Sequence, residues 1–200
     1  NSPRHYLSDI TLKYCNVKSE VIRPFVSVAE YNADKLNNER EFITYINPDV
    51  HKGVRIFEEI AEKLPEKKFL VVGKENYKIN NPNVTVVGWI NDMKEVYSKT
   101  RLLIIPSIWP EGCPRIGIEA MVNGIPFIVS GIGGLKEEAE ECGLTVSNIF
   151  DSNEWVNAIK KFDDQDFYKK MSESAKNKYK EFEINEQFKK FDLVLNNLFK

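Results

Sequence analysis

Hydrophobic positions along the chain fall into two alternating kinds of run. Six short runs, EFITYIN (41–47), KFLVVG (68–73), VTVVGW (84–89), RLLIIPS (101–107), PFIVS (126–130) and LTVSN (144–148), are rich in β-branched residues and predict strands. Most are apolar without a polar alternate, the pattern of parallel strands covered by helices on both faces. Between them lie segments with helical spacing: 52–64, 91–99, 115–123 and 134–141. In the first, Val54, Phe57, Ile60, Ala61 and Leu64 recur at three- and four-residue steps and make one buried stripe. Gly124 follows the third segment as a stop signal, with Pro126 two residues on.

This rhythm predicts an α/β fold with a Rossmann-like, doubly wound parallel sheet of about six strands and right-handed crossovers. From about residue 153 the strand signals end and three helices are expected, near 153–163, 165–182 and 184–199. The last carries Phe188, Phe191, Leu195, Leu198 and Phe199, an aromatic-rich stripe that needs a surface, on this domain or on an absent one. The first forty residues break the rhythm. RHYLSDITLKYCN predicts a helix, SEVIRPFVS an extended strand and EYNADKLNNER a polar linker. The expected organisation is therefore 1–40, the tail of a preceding domain plus linker; 41–182, the main sheet domain; and 183–200, a C-terminal helix. The chain begins at Asn1, without methionine, and is expected to be a piece of something longer.

Composition removes several classes. The 28 Lys plus Arg nearly balance 30 Asp plus Glu, so a net charge of −2 gives no general pull toward nucleic acid or an anionic membrane. The three cysteines, Cys15, Cys113 and Cys142, are far apart and form no CxxC pair. They point to reduced thiols in a cytoplasmic protein rather than a disulfide framework or zinc site. His5 and His51 are also far apart, and no metal site is expected. The apolar runs are too short to span a bilayer.

Candidate chemistry gathers at the loops expected beyond the carboxyl ends of the strands, where open α/β sheets bind ligands. After the first core strand, Lys52 and Gly53 open a helix, bringing an ammonium group and backbone N–H groups to one place, as a diphosphate site would. Neither a G-x-G-x-x-G nor a GxxxxGK[ST] follows a strand, which argues against a dinucleotide dehydrogenase and a P-loop NTPase. After the fourth strand, Glu111 and Glu119 stand eight apart around a Gly-Cys-Pro turn, with Pro114 as the helix opener. A carboxylate can hold two vicinal hydroxyls, and nearby positive potential from Lys52 and helix N–H groups is expected to keep both ionised. The loop SGIGG (130–134) then supplies three glycines before a helix, which should permit close backbone approach to a ligand and offer further N–H donors.

In order, EFITYINPDVHKG, FLVVG, VTVVGWI and IIPSIWPEGCPRIGIEAMVNGIPFIVSGIGGLKE resemble the C-terminal domain of the GT-B retaining glycosyltransferases of the glycosyl transferase group 1 (family 4) type. The resemblance covers roughly residues 40 to 165, and its Glu-x7-Glu, Gly-x-Pro and Gly-Gly-x-x-Glu motifs recur in fixed order. The head of the chain resembles the last unit of the family's N-terminal domain, and the final helix the one that crosses back to it. The resemblance implies one half of a GT-B fold that binds a nucleoside diphosphate sugar. It implies transfer of a hexose-type sugar with retention to a glycan or lipid-linked acceptor, in glycan biosynthesis. Glu111 and Lys52 would be catalytic, touching the transferred sugar and the diphosphate, and Glu119 would hold the ribose. Gly88, Trp89 and Ile90 would frame the base, Gly133, Gly134 and Glu137 would line the site, and Asn47, Gly53, Cys113, Arg115 and Ile116 complete the donor set. It implies no cofactor, no nucleic-acid partner, and a cytoplasmic protein that reaches the inner face of the membrane through the missing domain.

Three positions depart from the family's pattern. Asn47 stands where an Arg is common, so half of a cationic clamp is missing. Cys113-Pro114 replaces Phe-Gly, and Pro offers no N–H to a sugar hydroxyl. Lys136 replaces a Pro. The alternatives these leave open are a non-catalytic nucleotide or interaction module, a nucleotide-sugar epimerase, and a phosphorylase, which would want more cationic residues.

Overall fold

The computed structural model describes residues 4–24, 26–36 and 38–198. Asn1, Phe25 and Phe199, used in the sequence reading, lie outside the described residues. Six strands, β1 (Phe42–Ile46), β2 (Phe69–Val72), β3 (Val84–Val87), β4 (Thr100–Ile105), β5 (Phe127–Ser130) and β6 (Gly143–Val146), form one sheet in the order β3-β2-β1-β4-β5-β6. Every pairing is parallel. The doubly wound sheet expected from the sequence is therefore present, and its order reverses between β1 and β4, the topological switch point.

The unbroken apolar runs are explained by cover on both faces. Ile43, Tyr45, Phe69, Val71, Leu102, Ile104 and Ile128 point to one face, against α3 (Val54–Lys63) and α7 (Ser152–Lys161). Leu103, Ile105, Phe127 and Val129 point to the other, against α5 (Arg115–Val122) and α8 (Gln165–Tyr179). Leu70 and Val72 meet Val96 of the short α4 (Lys94–Tyr97). The stripe read in 52–64 is the buried face of α3, where Phe57, Ile60 and Ala61 are wholly covered. Asp151 and Asp164 cap α7 and α8 by accepting backbone N–H bonds, which sharpens both starts. The fourth helical segment shortens to α6 (Leu135–Ala139).

The head of the chain differs from expectation. α1 (His5–Cys15) forms, but SEVIRPFVS carries only a single bridge at Val21 among its described residues. The polar linker is not a free tether: it makes a turn of helix, α2 (Val28–Tyr31), and a 3-10 turn at Asp34–Leu36. Val26 and Ala33 are buried in the same core as α5 and α8. Polar ties fix it there, with the Tyr179 hydroxyl donating to the Val26 carbonyl (2.7 Å) and the Ala33 N–H to Asn123 Oδ1 (2.8 Å). The last helix, α9 (Ile184–Leu198), is docked through buried Gln187, whereas Phe188 and Phe191 keep 48% and 40% of their surface exposed. Leu195, on the same stripe, is partly covered.

Candidate functional site

The loops after β1 and β4 flank the switch point and meet there. Tyr45, buried at the end of β1, donates its hydroxyl to the Lys52 carbonyl (3.0 Å). The His51 carbonyl accepts from the N–H of Ile108 (2.9 Å) and the hydroxyl of Ser107 (3.1 Å). Gly53 has a φ of 78°, and a Cβ there would lie 2.0 Å from the Pro106 carbonyl oxygen, so only glycine lets the two loops close. Across this junction the Lys52 ammonium pairs with Glu111 Oε1, and Ser107 Oγ donates to the same oxygen (3.0 Å). Lys52 and Glu111, on different loops, are thus in contact.

The backbone around Lys52 departs from expectation. The N–H groups of Lys52, Gly53 and Val54 bond to the carbonyls of Asp49, Val50 and Asp49, so they are not open donors at the start of α3. The cation at that site is the Lys52 side chain. Asn47 closes β1 with φ 61° and donates its N–H to the Val72 carbonyl (2.7 Å). Left-handed backbone is a position asparagine tolerates better than arginine, which gives this departure a conformational cause.

Glu119 lies on the far side of the Gly-Cys-Pro turn, in the second turn of α5, and is buried. Pro114 is the N-cap residue of that helix rather than its first helical residue, with φ −70° and ψ 124°. The Tyr97 hydroxyl donates to Glu119 Oε2 (2.7 Å), and Arg115 Nε stands 3.8 Å from Oε1. Arg115 is itself steadied by Tyr31, whose hydroxyl accepts from Nη2 (3.0 Å). Burial pushes the Glu119 carboxyl up, with the Tyr97 hydrogen bond and the Arg115 charge only partly opposing it. The positive potential expected to favour the anion at both glutamates is outweighed at Glu119, where Lys52 pairs with Glu111 instead and desolvation is the larger influence.

The glycine loop after β5 is shaped by this turn. Gly133 has φ 66°, and a Cβ on it would fall 2.6 Å from the Glu111 carbonyl oxygen; one on Gly134 would fall 2.2 Å from that of Gly112. The Gly134 N–H donates to the Glu111 carbonyl (2.7 Å). The close approach read from the glycines is thus between two loops of the chain, and it fixes where Glu111 stands. Glu137 turns away toward α1, accepting from the N–H of Tyr6 (2.6 Å) and His5 (3.2 Å). Gly88, Trp89 and Ile90 follow β3 on the same sheet edge; Trp89 is 76% exposed, and its indole N–H donates to Asn91 (3.1 Å). Cys113 is half-buried, its Sγ accepting from Arg4 Nε (3.0 Å), and Ile116 packs partly into the core below.

Sequence reasoning missed Ser107, Tyr97, Tyr31, Arg4 and Glu138. Tyr97 and Glu138 sat in segments read only for their helical spacing; Arg4 carried no signal at all. Among the described residues no group of three His, Cys, Asp or Glu side chains is arranged to hold a metal ion. None of their helices is long and apolar enough to cross a membrane.

The fold is a doubly wound parallel sheet with the Lys52–Glu111 pair at its switch point, and comparison with known proteins narrows the class. The pattern that defines the glycosyl transferases group 1 family matches residues 42–164, and the chain belongs to that family. It is 28% identical over 130 residues to the UDP-Gal:alpha-D-GlcNAc-diphosphoundecaprenol alpha-1,3-galactosyltransferase of Escherichia coli, covering 58% of this chain and 33% of that protein. In fold it resembles sucrose-phosphate synthase from Thermosynechococcus elongatus (TM-score 0.84, 20% identity, 99% of this chain and 57% of that one). It also resembles a glycosyltransferase from Rickettsia africae (TM-score 0.85, 19% identity, 99% and 62%). A third likeness is to Anabaena HepE, solved with UDP and glucose (TM-score 0.81, 17% identity, 98% and 62%). The chain spans about a third of the curated relative and about three fifths of the solved chains.

Proposed function

We propose that residues 41–182 form the nucleotide-sugar-binding half of a retaining glycosyltransferase. The observation that carries this is the Lys52–Glu111 pair across the switch point, with Glu119 held by Tyr97 eight residues further on. A nucleoside diphosphate sugar laid along that edge would meet Glu119 with its ribose hydroxyls, Lys52 with its diphosphate and Glu111 with its hexose. Lys52 and Glu111 already neutralise each other, so an arriving diphosphate competes for the ammonium group and frees the carboxylate for sugar hydroxyls. When the bond from anomeric carbon to phosphate oxygen breaks, negative charge builds on the leaving diphosphate, and a fixed ammonium group there stabilises it. UDP in the HepE structures and the donor in the E. coli relative's name support a uridine nucleotide as the first donor to test. The acceptor site, for a glycan or a lipid-linked sugar, would belong to the part of such relatives that this chain does not span. The exposed Phe188 and Phe191 of α9 would dock there. A cytoplasmic protein peripheral to the membrane is the matching location.

The test is calorimetric titration of the chain with UDP, GDP and ADP and their hexose conjugates, repeated on Glu119→Ala. Weak binding of one nucleotide series and no sugar transfer by the chain alone are expected. A hydrogen bond to a charged group contributes about 1.5–3 kcal/mol, so Glu119→Ala should weaken binding roughly tenfold or more. No binding across the panel would leave the non-catalytic module, and undiminished binding by the variant would remove the ribose contact.

A further inference from the structure

A second set of charged groups stands directly behind the turn that presents Glu111. Arg4 and Glu138 are both fully buried, with Arg4 Nη2 3.5 Å from Glu138 Oε1. Arg4 Nε donates to Cys113 Sγ (3.0 Å), and its guanidinium lies over the Phe182 ring, 4.9 Å from the centroid. Room for the carboxylate exists only because residue 117 is glycine: a Cβ there would lie 2.4 Å from Glu138 Oε1. Both Nη atoms of Arg4 and both carboxylate oxygens of Glu138 lack a hydrogen-bond partner. Burying such a pair with its polar atoms incompletely satisfied is poor value for stability, and well-packed apolar side chains in its place are often neutral or better. What the pair does supply is position. It links α1, α6 and the N-terminal end of α5 to one atom of the Gly-Cys-Pro turn, between Glu111 and the helix that carries Glu119.

We propose that Arg4 and Glu138 are positioning residues for the sugar end of the donor site: by gripping Cys113 they fix the turn 111–114 and so the place of the Glu111 carboxylate. The proposal rests on Glu111 meeting the sugar, as proposed above. It also assigns a task to the segment ahead of the sheet, since Arg4 reaches the site from before β1.

The discriminating quantity is the affinity for a nucleotide sugar relative to that for its own nucleoside diphosphate. A merely structural role would weaken both together; a positioning role at Glu111 weakens only the sugar-bearing ligand. The probes are UDP, UDP-glucose and UDP-galactose, with GDP and GDP-mannose, titrated into the wild-type chain and into Arg4→Met/Glu138→Met, which replaces the pair by apolar side chains. Should unfolding midpoints show that the double variant does not fold, Glu138→Gln keeps the shape and serves in its place. The expected result is that diphosphate affinity stays within twofold while the ratio shifts against the sugar by threefold or more. A smaller shift overturns the positioning role and leaves the donor site standing. A wild-type chain that binds none of the five probes overturns both.

Discussion

Replacing Tyr97 by Phe removes one oxygen from a fully buried ring and leaves the rest of the site in place. That oxygen donates a 2.7 Å hydrogen bond to Glu119 Oε2 and is the shortest polar contact of the buried carboxyl. A hydrogen bond to a charged group contributes about 1.5–3 kcal/mol, and one between neutral groups about half as much. Tyr97 keeps its own proton, its hydroxyl being pushed well above the usual range by burial, so the state of the bond follows Glu119. The Glu119 carboxyl is raised above its ordinary 4.5 by burial, and the Tyr97 bond is among the interactions that hold it down. A raised carboxyl contributes stability that is present below the ordinary value and lost as pH rises through the raised one. Removing the bond raises it further, so the loss in the variant must grow with pH. The expected destabilisation is about 2 kcal/mol for the ionised carboxylate and about 1 kcal/mol for the protonated one, so the loss should be larger at pH 8 than at pH 4.5. Urea unfolding followed by circular dichroism at the two pH values measures both. Equal losses, or a larger loss at the acidic pH, would refute the assignment of Tyr97 as the donor that holds Glu119 charged.

Gly53→Ala should be among the most damaging small substitutions. Its Cβ meets a backbone carbonyl at 2.0 Å with φ 78°, so the Lys52 loop must move away from β4, and overpacking plus strain of roughly 2–4 kcal/mol should lower the unfolding midpoint by about 5–10 °C. Glu138→Gln should flatten the pH dependence of stability. Burial pushes the Glu138 carboxyl up to about 8 against the pull of Arg4, so wild-type stability falls as pH rises from about 5 to 8, and the variant should lack that component, at most ~1.4 kcal/mol per pH unit in urea unfolding across that range.

The sheet was legible because parallel strands buried on both faces have an unmistakable composition, and all six strands predicted for it are present, whereas the strand predicted at 19–27 is not formed among its described residues. The order of the strands was not readable residue by residue, but the βαβ rhythm restricted it to doubly wound arrangements, and those place the loops after β1 and β4 together. Lys52 and Glu111 were legible for that reason. Glu119 was legible as a position and not as an environment: its partners, Tyr97 and Arg115 with Tyr31 behind, come from α4, α5 and α2, and no spacing in sequence announces a contact 84 positions away, as between Tyr31 and Arg115. Glu138 was hidden by its neighbours. LKEEAEE crowds four acidic residues into one short segment, yet Glu137 caps α1, Glu138 is wholly buried, and Glu140 is exposed. Helical phase separates them, but in a helix of five residues there is too little phase to read.

The head of the chain is where sequence and structure part most, and the difference bears on function. The sequence marked 19–27 as an extended strand and 30–40 as a polar linker, because Asn, Asp, Lys and Glu dominate the second stretch. A tether would leave both carboxylates of the site to the sheet domain alone. Instead, each is steadied from the head: Tyr31 holds Arg115 beside Glu119, and Arg4 holds Cys113 two residues after Glu111. The buried residues Val26 and Ala33 have no core of their own and share that of α5 and α8, so the segment is held where these contacts need it.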